Sequence, residues 1–432
     1  MSYNYGELMT GFPEFDIVDN ELSIQGHLVT ELVSKFETPL YIYDGNVIKH
    51  SLSAVRSAFH GFKIFYSIKA NPNPTICKLL AHNHCGADVS SGGELSLALK
   101  AGFKPEDIIF VGPGKTDKEI EYALDRNVGT IVAESMNELK RIDKLAFKMS
   151  KVVDVMIRIN TSTKIDSSPV RMGGGPGQFG IDEEDAIVRL KNFHSSHVNL
   201  VGVHVYSASQ ILDPVALFRI FDSILDTAQK ISSEANLELK IVDMGGGLGI
   251  PYTHDEKALD IFKLGAQVHE SIIRHGIDMR KTSLALELGR FLLGPAGIFL
   301  TKVIDVKESR KKIFVITDGG INFLMRPAFY KLNYPTFVVN KIKEKPSQKC
   351  TVVGPLCTPF DELAVDIDLP HVKIGDIIGI FKTGAYGYSM SMVAFLSHPS
   401  PAEVLILDGQ DYLVRSRGNF DNISGEPIHL EI

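Results

Sequence analysis

KIFYSIKANPNPTICKLLAHNHCGADVSSGGELSLALKAGFKPEDIIFVGPGKTDKEIEYALDRNVGTIVAE, residues 63–134, states one physical pattern three times over and begins a fourth. A short β-branched or aromatic run ends in turn residues. A longer stretch with apolar residues at helical spacing follows, and then the next run begins. The strand candidates are 63–70, 87–91, 107–112 and 129–134, with PTICKLLAHNH, GELSLALKAG and DKEIEYALDRN as the helices between them. Working outward, the pattern continues with VDVMIRIN (153–160), LVGVHVYS (200–207), LKIVDMG (239–245) and SLALELG (283–289). ALFRIFDSILDTAQKISSEA lies before the seventh run, with Leu217, Ile220, Phe221, Ile224 and Leu225 on one helical face.

Alternation of this kind fits either an open doubly wound sheet or a closed barrel. Eight strand–helix units are the number that closes a parallel barrel. The polar residues point the same way. Lys69, Asp88, Glu134, Arg158, His204, Gly245 and Glu287 all fall at the C-terminal ends of their strands. A charge there would be costly inside a packed barrel and is useful at its mouth. Beyond residue 296 the texture changes to TKVIDVKE, KKIFVITDG, KCTVVGP, DIIGIFKTG, AEVLILDG and YLVRSRG, strands joined by turns with little helical periodicity. The expected architecture is α/β: a (β/α)8 TIM barrel over residues 39–296, and a second, mainly antiparallel β domain from 297–432 together with 1–38. The Gly-rich stretch GGGPGQFG (173–180), between strands five and six, reads as a mobile loop over the barrel mouth.

The chain has 432 residues, 44% hydrophobic and 22% charged, with a net charge of -7. That balance argues against nucleic acid or an anionic membrane as a partner. Four cysteines without a C-x-x-C pair make no disulfide framework. The opening, MSYNYGELMTGFPEF (1–15), has no basic region followed by an apolar one, and no run is long enough to span a bilayer. A cytoplasmic protein is expected.

Several residues could carry chemistry. Lys69 ends an apolar, aromatic strand at Asn71-Pro72. It is either a solvated strand-end lysine or a partly desolvated amine able to attack a cofactor aldehyde. DMGGGLG (243–249) follows the seventh strand, where such barrels bind phosphate; a tight turn is the plainer alternative. Glu287 could hold a proton on a heteroaromatic nitrogen, and Arg290 could reach a phosphate. His204 could lie flat on a ring or be a satisfied core histidine. GPGKT (112–116) is not a P-loop, because its first glycine position is Ile109. His82, His84 and Cys85 lack a second pair at zinc spacing, so no metal is expected.

Taken in order, YSIKANPN, ADVSSGGEL, HVYSAS, GGGLGIPY, ELGR, DGGINFLMRPAFY, GPLCTPFDEL and GAYGYS resemble the fold-type III pyridoxal-phosphate decarboxylases, the diaminopimelate and ornithine decarboxylase group, over residues 35–430. The resemblance implies pyridoxal 5'-phosphate as cofactor. It also implies a homodimer in which each β domain completes the partner's active site. Lys69 would join the cofactor aldehyde as a Schiff base, His204 would stack on the ring, and Glu287 would pair with its nitrogen. Gly245, Gly246, Gly247, Ser207 and Arg290 would hold the phosphate with Tyr386. Asp88 and Arg158 would support the cofactor, and the partner subunit's Cys357 would return a proton. Arg326 and Tyr330 look like readers of a distal carboxylate.

Thr358 departs from the diaminopimelate pattern, where a glutamate reads the far ammonium; a neutral hydroxyl cannot pair a buried cation. GPLCTPFDELAVDIDLP and FLSHPSPAEVLI are instead similar to a subgroup that includes glutamyl–acyl-carrier-protein decarboxylase. The expected activity is α-decarboxylation of an amino acid or derivative with a distal carboxyl or acyl group. A carrier protein becomes a partner where the substrate is carrier-linked. The alternative is meso-diaminopimelate decarboxylase. A non-catalytic regulator would have no reason to keep Lys69, Cys357, Glu287 and the glycine loop.

Overall fold

The computed structural model describes residues 15–162, 170–171, 173–253 and 255–420. The opening segment read for a secretory signal therefore lies outside the described residues, save Phe15. The chain divides into two compact units. One draws on the ranges Ser51–Ile250 and Lys257–Phe291, the other on Met1–His50, Pro251–Glu256 and Leu292–Ile432.

The first unit is a closed barrel of eight parallel strands. They are β1 (Lys63–Ser67), β2 (Gly86–Val89), β3 (Ile108–Phe110), β4 (Thr130–Ala133), β5 (Val153–Asn160), β6 (Val198–His204), β7 (Ile241–Asp243) and β8 (Ser283–Leu288). Each pairs with the next, and β8 pairs back to β1 with Ala285 opposite Lys63 and Leu288 opposite Tyr66. Phe65, Ile109, Val132, Met156, Val201, Ile241 and Ala285 pack together as one buried cluster. The helices start where the sequence supplies caps. Asn73, Ser91, Thr116, Ser135, Asp213 and Asp260 each accept a backbone N–H in the first turn of the helix that follows. Helix Pro214–Ala235 buries Leu217, Ile220, Phe221, Ile224 and Leu225, the face read from its spacing.

The second unit is a mainly antiparallel sheet. Its long strand Gly297–Ser309 pairs antiparallel with Leu40–Asp44, Ile377–Phe381 and Lys312–Thr317. Two pairs are parallel: Lys312–Thr317 with Gln348–Val353, and Leu40–Asp44 with Ala402–Leu407. The hairpin Phe15–Val18 and Glu21–Ile24 sends Phe15, Leu22 and Ile24 into the same core as Ile42, Ile298 and Val404.

A barrel beginning at residue 39 is corrected by these pairings. Leu40–Asp44 is followed by a helix, as a barrel strand would be, yet its hydrogen bonds go to Gly297–Ser309 and Ala402–Leu407. All five of its residues are buried, so its pattern alone could not say which sheet it joins. Pro251–Glu256 also belongs to the second unit. Among the described residues no helix is long and apolar enough to cross a membrane.

Candidate active site

The C-terminal ends of the barrel strands gather a set of charged groups that would be prohibitive in the barrel interior. The backbone of β1 ends at Ser67, and one turn of tight helix, Ile68–Ala70, carries Lys69 out of the strand. Lys69 Nζ donates to Asp88 Oδ2 on β2 at 2.6 Å, and Ser67 Oγ donates to the same oxygen at 2.7 Å. Asp88 is fully buried and its other oxygen has no partner. Burial pushes the Asp88 carboxyl up and the charge of Glu287 adds to this; Lys69 pulls downward without reversing it.

On the two strands that flank β7, His204 ends β6 and Glu287 lies one residue before the end of β8. His204 Nε2 and Glu287 Oε1 are 3.1 Å apart and both residues are buried. Glu287 accepts here, so Nε2 carries the hydrogen, and Nδ1 is left without a partner. Burial alone would raise the Glu287 carboxyl. The charge and hydrogen bond of His204, then Lys69 and Arg158, outweigh it and hold Glu287 below the usual carboxylate range.

Arg158, near the end of β5, donates to Glu134 Oε1 at 2.9 Å, and its guanidinium lies 4.5 Å from the centre of the Phe179 ring. Glu134 also receives the N–H of Gly112 at 2.9 Å and of Gly180 at 3.3 Å. The last bond ties one end of the 173–180 loop to β4. Below it, Glu138 caps the Glu134 backbone and pairs with the buried Lys115 at 3.0 Å. Burial lowers the Lys115 ammonium, and Glu138 opposes that.

After β7 the chain runs through Gly245–Gly247. Gly245 has φ +64° and Gly247 φ +101°. A Cβ on Gly245 would lie 2.5 Å from the Val205 carbonyl, and one on Gly246 would lie 2.2 Å from the Glu287 carbonyl. Only bare backbone fits between β6 and β8 there. Ser207 and Arg290 are buried on the two flanking connections.

In the second unit, Arg326 opens the short helix Arg326–Tyr330 and is 7% exposed. Its Nε donates to Tyr334 Oη at 3.0 Å. Its guanidinium lies 4.6 Å from the Tyr330 ring centre and 5.4 Å from that of Tyr386. Among the described residues no carboxylate pairs with it. Tyr386 holds φ +56° within GAYGYS. Cys357 is exposed, and Thr358 is half-buried beside it. Their turn is held from inside by Asp361, whose carboxylate accepts the N–H groups of Ile321 and Leu356, both at 2.7 Å.

The structure thus brings Lys69, Asp88, Arg158, His204, Ser207, Gly245–Gly247, Glu287 and Arg290 together within the barrel unit. It brings Arg326, Tyr330 and Tyr386 together within the other. Sequence reasoning passed over Asp243, which is fully buried at the end of β7. One ligating atom each of His204, Asp243 and Glu287 lie within 4.8 Å of one another. A cation could bridge that spacing, and so could a proton held between two carboxyl groups. The signal for Asp243 was present: an acid at a strand end before glycines, like Asp88 and Glu287. It was absorbed into the reading of the glycine motif.

A family model described as "Pyridoxal-dependent decarboxylase, pyridoxal binding domain" matches residues 46–294. The chain is 37% identical to L-glutamyl-[BtrI acyl-carrier protein] decarboxylase of Niallia circulans over 418 residues, 93% of this chain and 96% of that protein. It is 35% identical to diaminopimelate decarboxylase of Aquifex aeolicus over 413 residues, covering 95% and 96%. Among solved structures, diaminopimelate decarboxylase from M. jannaschii superposes with a TM-score of 0.90 at 30% identity, covering 98% of this chain and 99% of the other.

Proposed function

The chain belongs to the pyridoxal-dependent decarboxylases, enzymes whose cofactor is pyridoxal 5'-phosphate; from that premise we propose that its substrate is an amino acid or derivative with a distal carboxyl or acyl group. The residues fit the cofactor. His204 is a buried flat ring with one partnerless nitrogen, Asp88 keeps a partnerless oxygen, and Glu287 stays anionic beside them. The Gly245–Gly247 backbone leaves no room for side chains.

When bound, the cofactor takes up the electron pair left on the α-carbon as carbon dioxide departs. The chain's residues supply the rest. Lys69 would hold the cofactor through its amine, at the position where a substrate amine must also arrive. Asp88 takes up the charge of Lys69 and orients it. Glu287 would hold a proton at the ring nitrogen, and His204, which hydrogen-bonds Glu287, would offer its flat face to the ring. Gly245, Gly246, Gly247, Ser207 and Arg290 would hold the cofactor's phosphate. Arg158, anchored by Glu134, keeps positive charge beneath the site. In a cytoplasmic homodimer, Cys357 of the partner subunit would be the group that returns a proton to the α-carbon.

One observation carries the substrate reading: Arg326 is a buried guanidinium with aromatic faces around it and no carboxylate of the described chain to pair with. Such a charge calls for an anion or a carbonyl from outside. Tyr330 closes one side, and Thr358 supplies no charge for a distal ammonium. The similarity to a decarboxylase named for a glutamyl carrier-protein substrate agrees with this, and makes a carrier protein a candidate partner. The similarity to named diaminopimelate decarboxylases keeps meso-diaminopimelate as the second reading.

Carbon dioxide release decides between them. The assay is run on glutamate, glutamyl and other acylated carrier proteins, lysine, ornithine, arginine and meso-diaminopimelate. Turnover is expected only where a distal carboxyl or acyl group is present without a free distal amine. Turnover of meso-diaminopimelate at about 1 per second or faster would overturn the preference.

A further inference from the structure

Asp243 has no part in the chemistry described so far, yet it sits at the bottom of it. Its side chain is fully buried, and Oδ1 accepts the N–H of Gly245 at 2.9 Å. Oδ2 is equally buried and receives no donor. The groups within reach of it are Glu287 and His204. His204 spends its Nε2 hydrogen on Glu287, so an ionised Asp243 would face a second carboxylate with nothing between them.

We propose that Asp243 is a positioning residue that remains protonated and donates its Oδ2 hydrogen to Glu287, aiming that carboxylate at the ring nitrogen of the cofactor.

The charge balance supports this. Three carboxyl groups, Asp88, Asp243 and Glu287, are buried on β2, β7 and β8. Arg158 is paired with Glu134 and Lys69 with Asp88, so neither of these two cations makes its ion pair with Asp243. Buried like charges at such distances cannot all ionise. Glu287 is the acid best stabilised as an anion, having His204, Lys69 and Arg158. Asp243 has one backbone N–H. Burial, then the charge of Glu287, with Asp88 behind it, pushes its carboxyl well above the usual range. A neutral acid in this place can give a hydrogen bond to Glu287 without repelling it.

The inference rests on the reading of Glu287 as partner of the ring nitrogen, and its test separates the two. Asn reproduces a protonated Asp: Oδ1 accepts from Gly245 and Nδ2–H donates to Glu287. Asp243→Asn should hold pyridoxal phosphate within about threefold of the wild type, measured by equilibrium ultrafiltration. Asp243→Leu, of similar size without the donor, should weaken it on the order of tenfold or more. Equal losses in both variants would mean that a charge is needed there; no loss in Asp243→Leu would make the residue a spectator. Either result overturns the proposal. Infrared spectroscopy of the wild-type protein reads the proton directly. A protonated-carboxyl band that shifts in D2O should persist at pH 8 and vanish in Asp243→Asn. If that variant fails to fold, the wild-type protein and Asp88→Asn still decide: absence of the wild-type band at pH 8 refutes a protonated Asp243, and a band that survives in Asp88→Asn supports one. Glu287→Ala keeping wild-type cofactor affinity would fault the reading of Glu287 as partner of the ring nitrogen, while the Asp243 band of the wild-type protein would still report its proton.

Discussion

On the proposed substrate reading, Arg326 and Thr358 divide the problem of specificity between a charge that is present and one that is missing. Arg326 is held by Tyr334 Oη and covered by the faces of Tyr330 and Tyr386. Its fork is therefore oriented before any ligand arrives, which lowers the ordering cost of binding a carboxylate or carbonyl. A hydrogen bond from a charged donor is worth about 1.5–3 kcal/mol. Arg326→Leu should therefore raise KM for a substrate with a distal carboxyl by about 10- to 100-fold and leave kcat less affected. Arg326→Lys should recover only part, since an ammonium lacks the fork. In the reverse sense, Thr358→Glu should admit meso-diaminopimelate by supplying an anion for its distal ammonium. Steady-state kinetics on the two substrates checks both. A uniform loss of kcat on every substrate in Arg326→Leu would show that the arginine serves folding and not recognition.

At the scale of elements, the glycine connection after β7 is where backbone and chemistry are least separable. A Cβ on Gly246 would stand 2.2 Å from the carbonyl of Glu287. Gly246→Ala must therefore push β8 aside at Glu287, the proposed partner of the ring nitrogen. Overpacking of this kind costs about 1–3 kcal/mol, and the displacement should also weaken cofactor binding. Gly114→Ala is the control, since a Cβ there meets nothing within 4 Å. Thermal midpoints and cofactor titration of the two variants check the contrast; equal behaviour would remove the connection from the site. The same scale shows what was legible in the sequence. VDVMIRIN is a strand over Val153–Asn160 from end to end because its apolar run is bounded by polar turns on both sides. KIFYSIKA reads as a strand three residues longer than the observed Lys63–Ser67, because apolarity cannot reveal that the chain leaves the strand at Ser67, whose hydroxyl bonds Asp88. Leu40–Asp44 reads as a strand in either unit, and only pairing at a distance of more than 250 residues decides it. The charged strand ends were legible because charge is rare at the end of a buried run. The links Glu134–Arg158 and Lys115–Glu138 were not, because ion pairs that span 23 and 24 residues leave no periodic trace.

For the whole molecule, the proposed role of Cys357 requires its exposed thiol to be brought to the substrate's α-carbon. Cys357 is open to solvent, and Phe360, in the same turn, is 73% exposed. A proton donor in open water gives no control over which group is protonated, and an exposed phenylalanine gains by being covered. A second copy of the chain, seated on this turn by two-fold symmetry, would answer both and bring each Cys357 to the other's Lys69. Mixing tests this without any knowledge of the interface. Lys69→Ala removes the amine and Cys357→Ala removes the donor, so each variant alone should be nearly inactive, although Cys357→Ala should still hold the cofactor. When equal amounts are dissociated and reassembled at random, half of the dimers carry one chain of each kind. If the two residues come from different chains, each mixed dimer has one site with both intact and one with neither. The mixture should then reach about a quarter of wild-type activity. If both residues serve the same chain's site, every site lacks one of them, and mixing should give no more than the mean of the two variants.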